Sequence, residues 1–201
     1  MKRFLRKIVL YLGGVILGKR RRYAHYGKNS SVSDTVKTGS PQNIEIGDNV
    51  CIGMRTWMDA VPLTGKETCR LVFKNGATIG EYNHIYATHS IVFEEDVLTA
   101  NFVYVSDNLH GYENIDVPIR KQSIKQLNPV VIGKGCWIGE HVSIIGASIG
   151  ANSVIGANSV VTRDIPDYCV AVGAPAVIIK RYDMERQCWR KTNKMGGFIE
   201  E

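Results

Sequence analysis

Residues 132–166 read IGKGCW IGEHVS IIGAS IGANSV IGANSV VTRDIP, and in this run the chain repeats itself every six residues. A large aliphatic residue opens the units at Ile132, Ile138, Ile144, Ile149, Ile155 and Val161. Glycine follows at Gly133, Gly139, Gly150 and Gly156, and a small residue stands four places on at Cys136, Val142, Ser148, Ser153 and Ser159. Self-similarity at a short fixed period marks a solenoid, in which each repeat buries its apolar side chain only by stacking on its neighbours. Each hexapeptide is read as one short strand and one corner, and three of them complete one coil of a three-sided prism.

Upstream, the same slots recur at Ile46, Ile52, Phe73, Ile79, Ile85, Phe93, Thr99 and Val105, with Val50, Thr56, Ala77, Val97 and Val103 in the small positions. The fold class is therefore all-β, with parallel strands stacked coil on coil. Corners need positive φ, which Gly, Asn and Asp tolerate, and Gly47-Asp48-Asn49, Gly150-Ala151-Asn152 and Gly156-Ala157-Asn158 supply such residues. The repeat breaks at Trp57 to Leu71, at Gly111 to Pro129, and in a five-residue step from Ile144 to Ile149. Loops that leave a regular scaffold are where function concentrates. The expected organisation is a basic leader over 1–30, a β-helical body over 31–180 with loops near 57–71 and 111–129, and a helical cap and tail over 181–201.

Charge is unevenly spread: eight of the 25 basic residues lie in the first 22 positions, leaving 17 against 19 acidic residues. The body lacks the basic stripes with interleaved aromatics that nucleic acid requires, so no nucleic-acid partner is expected. Five cysteines without a CxxC pair indicate neither a disulfide framework nor a zinc knuckle, and a reducing cytoplasm is the simplest compartment. In the leader, Ile8 to Gly18 is too short to span a bilayer and lacks a small-residue cleavage site. Phe4, Leu5, Ile8, Val9, Leu12, Val15 and Ile16 share one helical face, which suits either a peripheral membrane contact through residues 1–22 or packing against the open end of the core.

Over Asn43 to Arg181 the sequence resembles the hexapeptide-repeat acyltransferases, and within them the sugar O-acetyltransferases of the galactoside and maltose type. The residues that carry the resemblance are Ile132 to Gly139, Ile155 to Pro166 and Val172-Gly173-Ala174-Pro175-Ala176. It implies a left-handed parallel β-helix, an exception to the usual right-handed crossover. It also implies a homotrimer with acetyl-coenzyme A in a groove between subunits, and a histidine near the start of the long loop as general base. In Val105-Ser106-Asp107-Asn108-Leu109-His110-Gly111 that histidine is His110; many members carry a second histidine where Asn108 stands. An imidazole with a pKa of about 6.5 is largely neutral near pH 7 and can accept the proton of an attacking sugar hydroxyl. Asp107 or a backbone carbonyl would orient the ring, and N–H groups at the Gly139–Glu140 corner would meet the oxyanion.

By the same resemblance Asn83 takes the place of an acceptor-binding asparagine, with a buried corner amide as the alternative. Trp137 matches a tryptophan beside the active-site tunnel, or simply packs. Ala157 would admit the pantetheine arm, while Thr162, Arg163, Lys180 and Arg181 would meet its phosphates; a solvated basic surface is the competing reading. No metal is expected. The reading is an acetyl-coenzyme A-dependent O-acetyltransferase acting on a sugar or glycan, in the cytoplasm or at the inner face of the membrane. Alternatives are N-acetylation of an amino sugar, acetylation of a small xenobiotic alcohol, or a zinc carbonic-anhydrase-like enzyme using His84, His89 and His110. In that zinc family the close histidine pair follows the lone one, the reverse of the order here. A non-enzymatic scaffold is the remaining class.

Overall fold

The computed structural model describes residues 22–193 and 196–200; of the helical leader expected over 1–30, with its membrane contact over 1–22, all but the last part lies outside the described residues, and that last part is not helical, since His25–Tyr26 is a strand paired with Ile44–Ile46. The body is a three-sided prism. Its first face stacks His25–Tyr26, Ile44–Ile46, Arg70–Phe73, Ser90–Phe93 and Val130–Ile132, continued by bridges at Ile149 and Ile165. The second stacks Ser31–Val32, Cys51–Ile52, Thr78–Ile79, Leu98–Thr99, Trp137–Ile138, Val154–Ile155 and Cys169–Val172. The third stacks Trp57–Ala60, His84–Ala87, Tyr104–Ser106, Ser143–Ile145 and Val160–Val161. All pairings within these three stacks are parallel and in register, as in Val105 opposite Ile85 and Ile144.

The hexapeptide pattern predicts which side chains point inward. Ile46, Ile52, Phe73, Ile79, Ile85, Phe93, Val105, Ile132, Ile138, Ile144, Ile149, Ile155 and Val161 are all buried, and Phe73 stacks on Phe93 with centroids 5.0 Å apart. Each such side chain contributes roughly 1.5–3 kcal/mol by leaving water. Most of the small slots are buried too; Ser148 is half-exposed because the chain turns early after Ile145, through Gly146 at φ 57°. The positive φ at the corners falls on Asn49, Asn152 and Asn158 rather than on the glycines of those runs. Those glycines stand where coils come closest: a Cβ on Gly150 would lie 2.2 Å from the Asp167 nitrogen.

Every interruption of the repeat lies at one edge, between the third and first faces. The first is narrower than the sequence indicates, since Trp57–Ala60 is a strand of the third face and only 61–69 loops out. The second is an arm whose stem is an antiparallel pair, Asn108–His110 with Ile124–Gln126.

The C-terminal cap is not helical. Val177–Asp183 runs antiparallel to Cys169–Val172, and Cys188–Lys191 pairs with it in turn, so a terminal hairpin closes the second face. The β-branched run Val177-Ile178-Ile179 favours strand, and the hairpin satisfies the backbone groups that the last coil exposes. Asp183 ties its turn by accepting from the Glu185 and Arg186 nitrogens and pairing with Arg190 at 2.9 Å.

Candidate active site

At Asp107 the chain leaves the third face and enters the arm. Ser106 Oγ donates to the Asn108 carbonyl (2.8 Å) and accepts its N–H, which fixes the exit angle. Gln126 returns from the other stem strand: its amide donates to the Asp107 carbonyl (2.8 Å), and its oxygen accepts from the Thr64 and Thr88 hydroxyls. Farther out, the Gln122 amide donates to the Asn114 and Val117 carbonyls (2.9 and 2.8 Å), so the tip has a fixed shape. His110 therefore projects from an anchored stem. It is exposed, and no described residue hydrogen-bonds its ring.

Beneath the ring lies a cleft of roughly 480 Å³, walled by Leu109, His110 and Ile124 of the arm and by His84, Tyr86 and Tyr104 of the third face. Its far wall is Trp57. The indole stacks on His84 (4.3 Å, 8°), carries Lys37 Nζ 4.0 Å over its ring, and donates from Nε1 to Asp59 Oδ2 at 2.7 Å. Burial raises the Asp59 pKa, but donation from Trp57, Gly39 and Ser40 more than offsets this and holds the group below its usual range. Burial, with repulsion from Lys37, lowers the His84 pKa, so this ring stays neutral; its Nε2 is buried without a partner. His84 lines the cleft, whereas the sequence reading gave it only as one of three zinc-ligand candidates, although Ile85 points inward and strand alternation turns residue 84 to the outer face.

Several expected roles need correction. Asp107 is fully buried and does not orient His110: Oδ1 accepts from the Thr88 nitrogen (2.7 Å), the Thr88 hydroxyl and the Asn108 amide, and Oδ2 accepts from the His89 and Ser90 nitrogens (both 2.8 Å). Burial pushes its pKa up, and these donors overcome that and hold it below the usual carboxylate range. Asn83 is buried as well, donating to the Gly80 carbonyl and Thr99 hydroxyl and accepting from the Val103 nitrogen at 2.6 Å. These contacts are those of the buried corner amide, the alternative reading of this residue. The Gly139 N–H is engaged with the Ile155 carbonyl (2.8 Å), leaving the Glu140 N–H as the free donor of that corner.

The remaining candidates do not converge on the cleft within one chain. Trp137 stands on the second face between Leu98 and Val154, half-exposed. Gly139 and Ala157 stack at the second-to-third edge, Thr162 and Arg163 are exposed at the third-to-first edge, and Lys180 lies opposite Lys191 on the terminal hairpin. Arg163, Lys180 and Lys191 are exposed, like-charged and without an ion pair among the described residues. Arg181 is engaged within the chain: its guanidinium donates to the Gly196 carbonyl and sits over Phe198. Among the described residues, His84, His89 and His110 form no group able to hold a metal ion.

A family model described as "hexapeptide repeat of succinyl-transferase" matches residues 129–163. A protein of Escherichia coli strain K12 named "putative lipopolysaccharide biosynthesis O-acetyl transferase WbbJ" is 33% identical over 156 residues, covering 74% of this chain and 77% of its own. The chain belongs to the hexapeptide-repeat acyltransferases. Among solved members of this fold, the maltose O-acetyltransferase of Clostridium difficile 630 is 30% identical with a TM-score of 0.55, covering 82% of this chain and 72% of that one. AntD, an N-acyltransferase from Bacillus cereus solved with dTDP and coenzyme A, has a TM-score of 0.69 at 22% identity over 84% and 89% of the two chains, a likeness of fold. Within this family of acyltransferases, the present chain places a free histidine over an aromatic cleft.

Proposed function

We propose that this chain transfers the acetyl group of acetyl-coenzyme A to a hydroxyl of a sugar in a surface-polysaccharide precursor, with His110 as general base. One observation carries the reading: in a chain one-third identical to an O-acetyltransferase over most of its length, His110 is held on an anchored stem, exposed, unbonded and above a cleft. We read the coil as left-handed and the working unit as a homotrimer, as in the family, so that residues dispersed on one prism meet across a seam between chains.

Acetyl-coenzyme A, when bound, supplies an activated carbonyl. Lys180 with Lys191, and Thr162 with Arg163, would hold its phosphates, and Ala157 would border its narrow arm. His110 Nε2 or Nδ1 takes the proton from the acceptor hydroxyl as that oxygen attacks, and returns it to the leaving sulfur. The free Glu140 N–H of a neighbouring chain faces the developing oxyanion. His84 and the tyrosines of the third face border the acceptor. Direct transfer needs no acyl-enzyme, and the core cysteines do not favour one: burial pushes the Cys136 thiol up to about 11. No helix among the described residues is long and apolar enough to cross a membrane; for residues 1–22 we keep the reading of a peripheral contact with a cytoplasmic membrane surface, which their length and amphipathic pattern support.

The test is a screen of sugars, amino sugars and nucleotide sugars that follows thiol release. A hydroxyl acceptor should give turnover that falls on the order of a hundredfold or more in His110→Ala, with acetyl-coenzyme A affinity nearly unchanged. Equal turnover in that variant removes His110 as the base, and acylation of amines alone replaces the hydroxyl acceptor with a nitrogen one.

A further inference from the structure

Register decides what the floor of the cleft under His110 offers. Met58, Ile85, Val105 and Ile144 fill the core, so their strand neighbours turn away from it in two columns: Trp57, His84, Tyr104 and Ser143, and beside them Asp59, Tyr86, Ser106 and Ile145. Two polar members of the second column are spent within the chain. Asp59 accepts from Trp57, Gly39 and Ser40, and Ser106 Oγ is engaged with Asn108. The amides at the foot of the arm are spent as well: Asn108 donates to the Tyr86 carbonyl at 3.2 Å and to Asp107, while Gln126 is taken up by Asp107, Leu127, Thr64 and Thr88. No Asp, Glu, Lys or Arg among the described residues lines the cleft.

What the cleft presents is therefore apolar carbon and a few uncharged hydrogen-bonding groups. Ile145 stands on the floor, and Ile124 pairs directly with His110 across the stem of the arm, so its side chain lies on the same side as the imidazole. Three polar groups have no hydrogen-bond partner among the described residues: the buried His84 Nε2 and the hydroxyls of Tyr86 and Tyr104. Burial, followed by the charge of Asp59, pushes the Tyr86 pKa up, so that hydroxyl keeps its proton. A hydroxyl taken from water into such a site needs a partner, and the isoleucines have none to give.

We propose that the acceptor is an uncharged 6-deoxyhexose unit, seated with its C6 methyl against Ile124 and Ile145 and with ring hydroxyls facing His84, Tyr86 and Tyr104. The inference deepens the proposed function and rests on it. The group presented to His110 is then a secondary ring hydroxyl, because such a sugar carries no hydroxyl at C6. A hexose with a hydroxymethyl group would bury that hydroxyl against the isoleucines. A uronate or an ammonium sugar would bring a charge to walls without an acidic or basic side chain to meet it.

The test uses the full chain with acetyl-coenzyme A and matched methyl glycosides: 6-deoxygalactose against galactose, 6-deoxyglucose against glucose, and rhamnose against mannose of the same hand. In the best accepted pair kcat/KM should favour the 6-deoxy member by about tenfold to a hundredfold, the range over which an apolar pocket rejects an added hydroxyl, and NMR of the product should show a secondary ester. Ile124→Thr and Ile145→Thr give the added hydroxyl a partner and should each narrow the ratio about threefold or more. Both acceptors are measured on one preparation, so partial unfolding leaves the ratio unchanged. Equal or reversed preference, an ester at O6, faster turnover of an aryl alcohol, or an unaltered ratio in both variants overturns the proposal while acetyl transfer itself stands. No transfer to any sugar removes the proposed function, and saturation-transfer NMR then decides the seat: it holds if the C6 methyl receives the strongest saturation and falls if it does not.

Discussion

Replacing Asp107 with asparagine should unfold the prism far more readily while leaving the chemistry of each folded molecule comparatively intact. The carboxylate collects five donors, and an asparagine whose oxygen keeps the place of Oδ1 turns its NH2 toward the His89 and Ser90 nitrogens. Two charge-assisted hydrogen bonds are lost, at about 1.5–3 kcal/mol each, for a total of about 3–6 kcal/mol. That is a large share of a total stability of about 5–15 kcal/mol. With a urea slope of about 2–3 kcal/mol/M, the midpoint should fall by about 1–2 M or more. The pH dependence follows from the depressed pKa: Asp107 stabilises fully above its unfolded value of about 3.9 and loses that contribution as pH falls through its lower folded value. The gap between parent and variant should therefore be flat from about pH 7 to 5 and narrow below about pH 4. The assay is urea unfolding followed by tryptophan fluorescence across that range, with turnover measured on folded protein. An unchanged midpoint with collapsed turnover would refute this account and return Asp107 to a role on His110.

Three further outcomes follow from the geometry. His84→Phe keeps the stack on Trp57 and removes a buried, unpartnered nitrogen, so thermal stability should hold or rise by about 1 kcal/mol; a clear loss would mean that the nitrogen has a partner. Lys180→Ala should raise the KM for acetyl-coenzyme A several-fold with kcat nearly unchanged, an effect that shrinks with added salt, whereas Arg181→Ala should show mainly as a lower melting temperature. Gly139→Ala would bring a Cβ 2.7 Å from the Ala157 nitrogen, so a loss of about 2 kcal/mol or more is expected in calorimetry.

The prism was legible because its signal is local and repeated: one slot opens inward at Ile46, Ile52 and Ile79 just as it does at Ile138 and Ile155, and all are buried. The arm and its histidine were legible as a departure from that period. Asn83 misled because its polarity was read as function when a corner amide at that slot serves the backbone, while the neighbouring His84 faces the cleft. The role of Asp107 depends on nitrogens 17 to 19 residues away, which no local pattern reveals. The terminal hairpin was hidden for another reason: once the six-residue period stops after Val172, nothing in Arg181 to Lys191 announces which backbone edge it will join.

The stacking of strands on the second face also acts as a ruler. From the strand of Trp137, through those beginning at Val154 and Cys169, to that of Lys180 there are three inter-strand steps, about 14 Å at ~4.8 Å per step. Whatever spans that interval has its length matched to a whole number of coils. A duplicated coil between Trp137 and Val154 would lengthen the gauge by one graduation, so the tolerance of such an insertion would measure how tightly the reach of a bound molecule is set by counting strands.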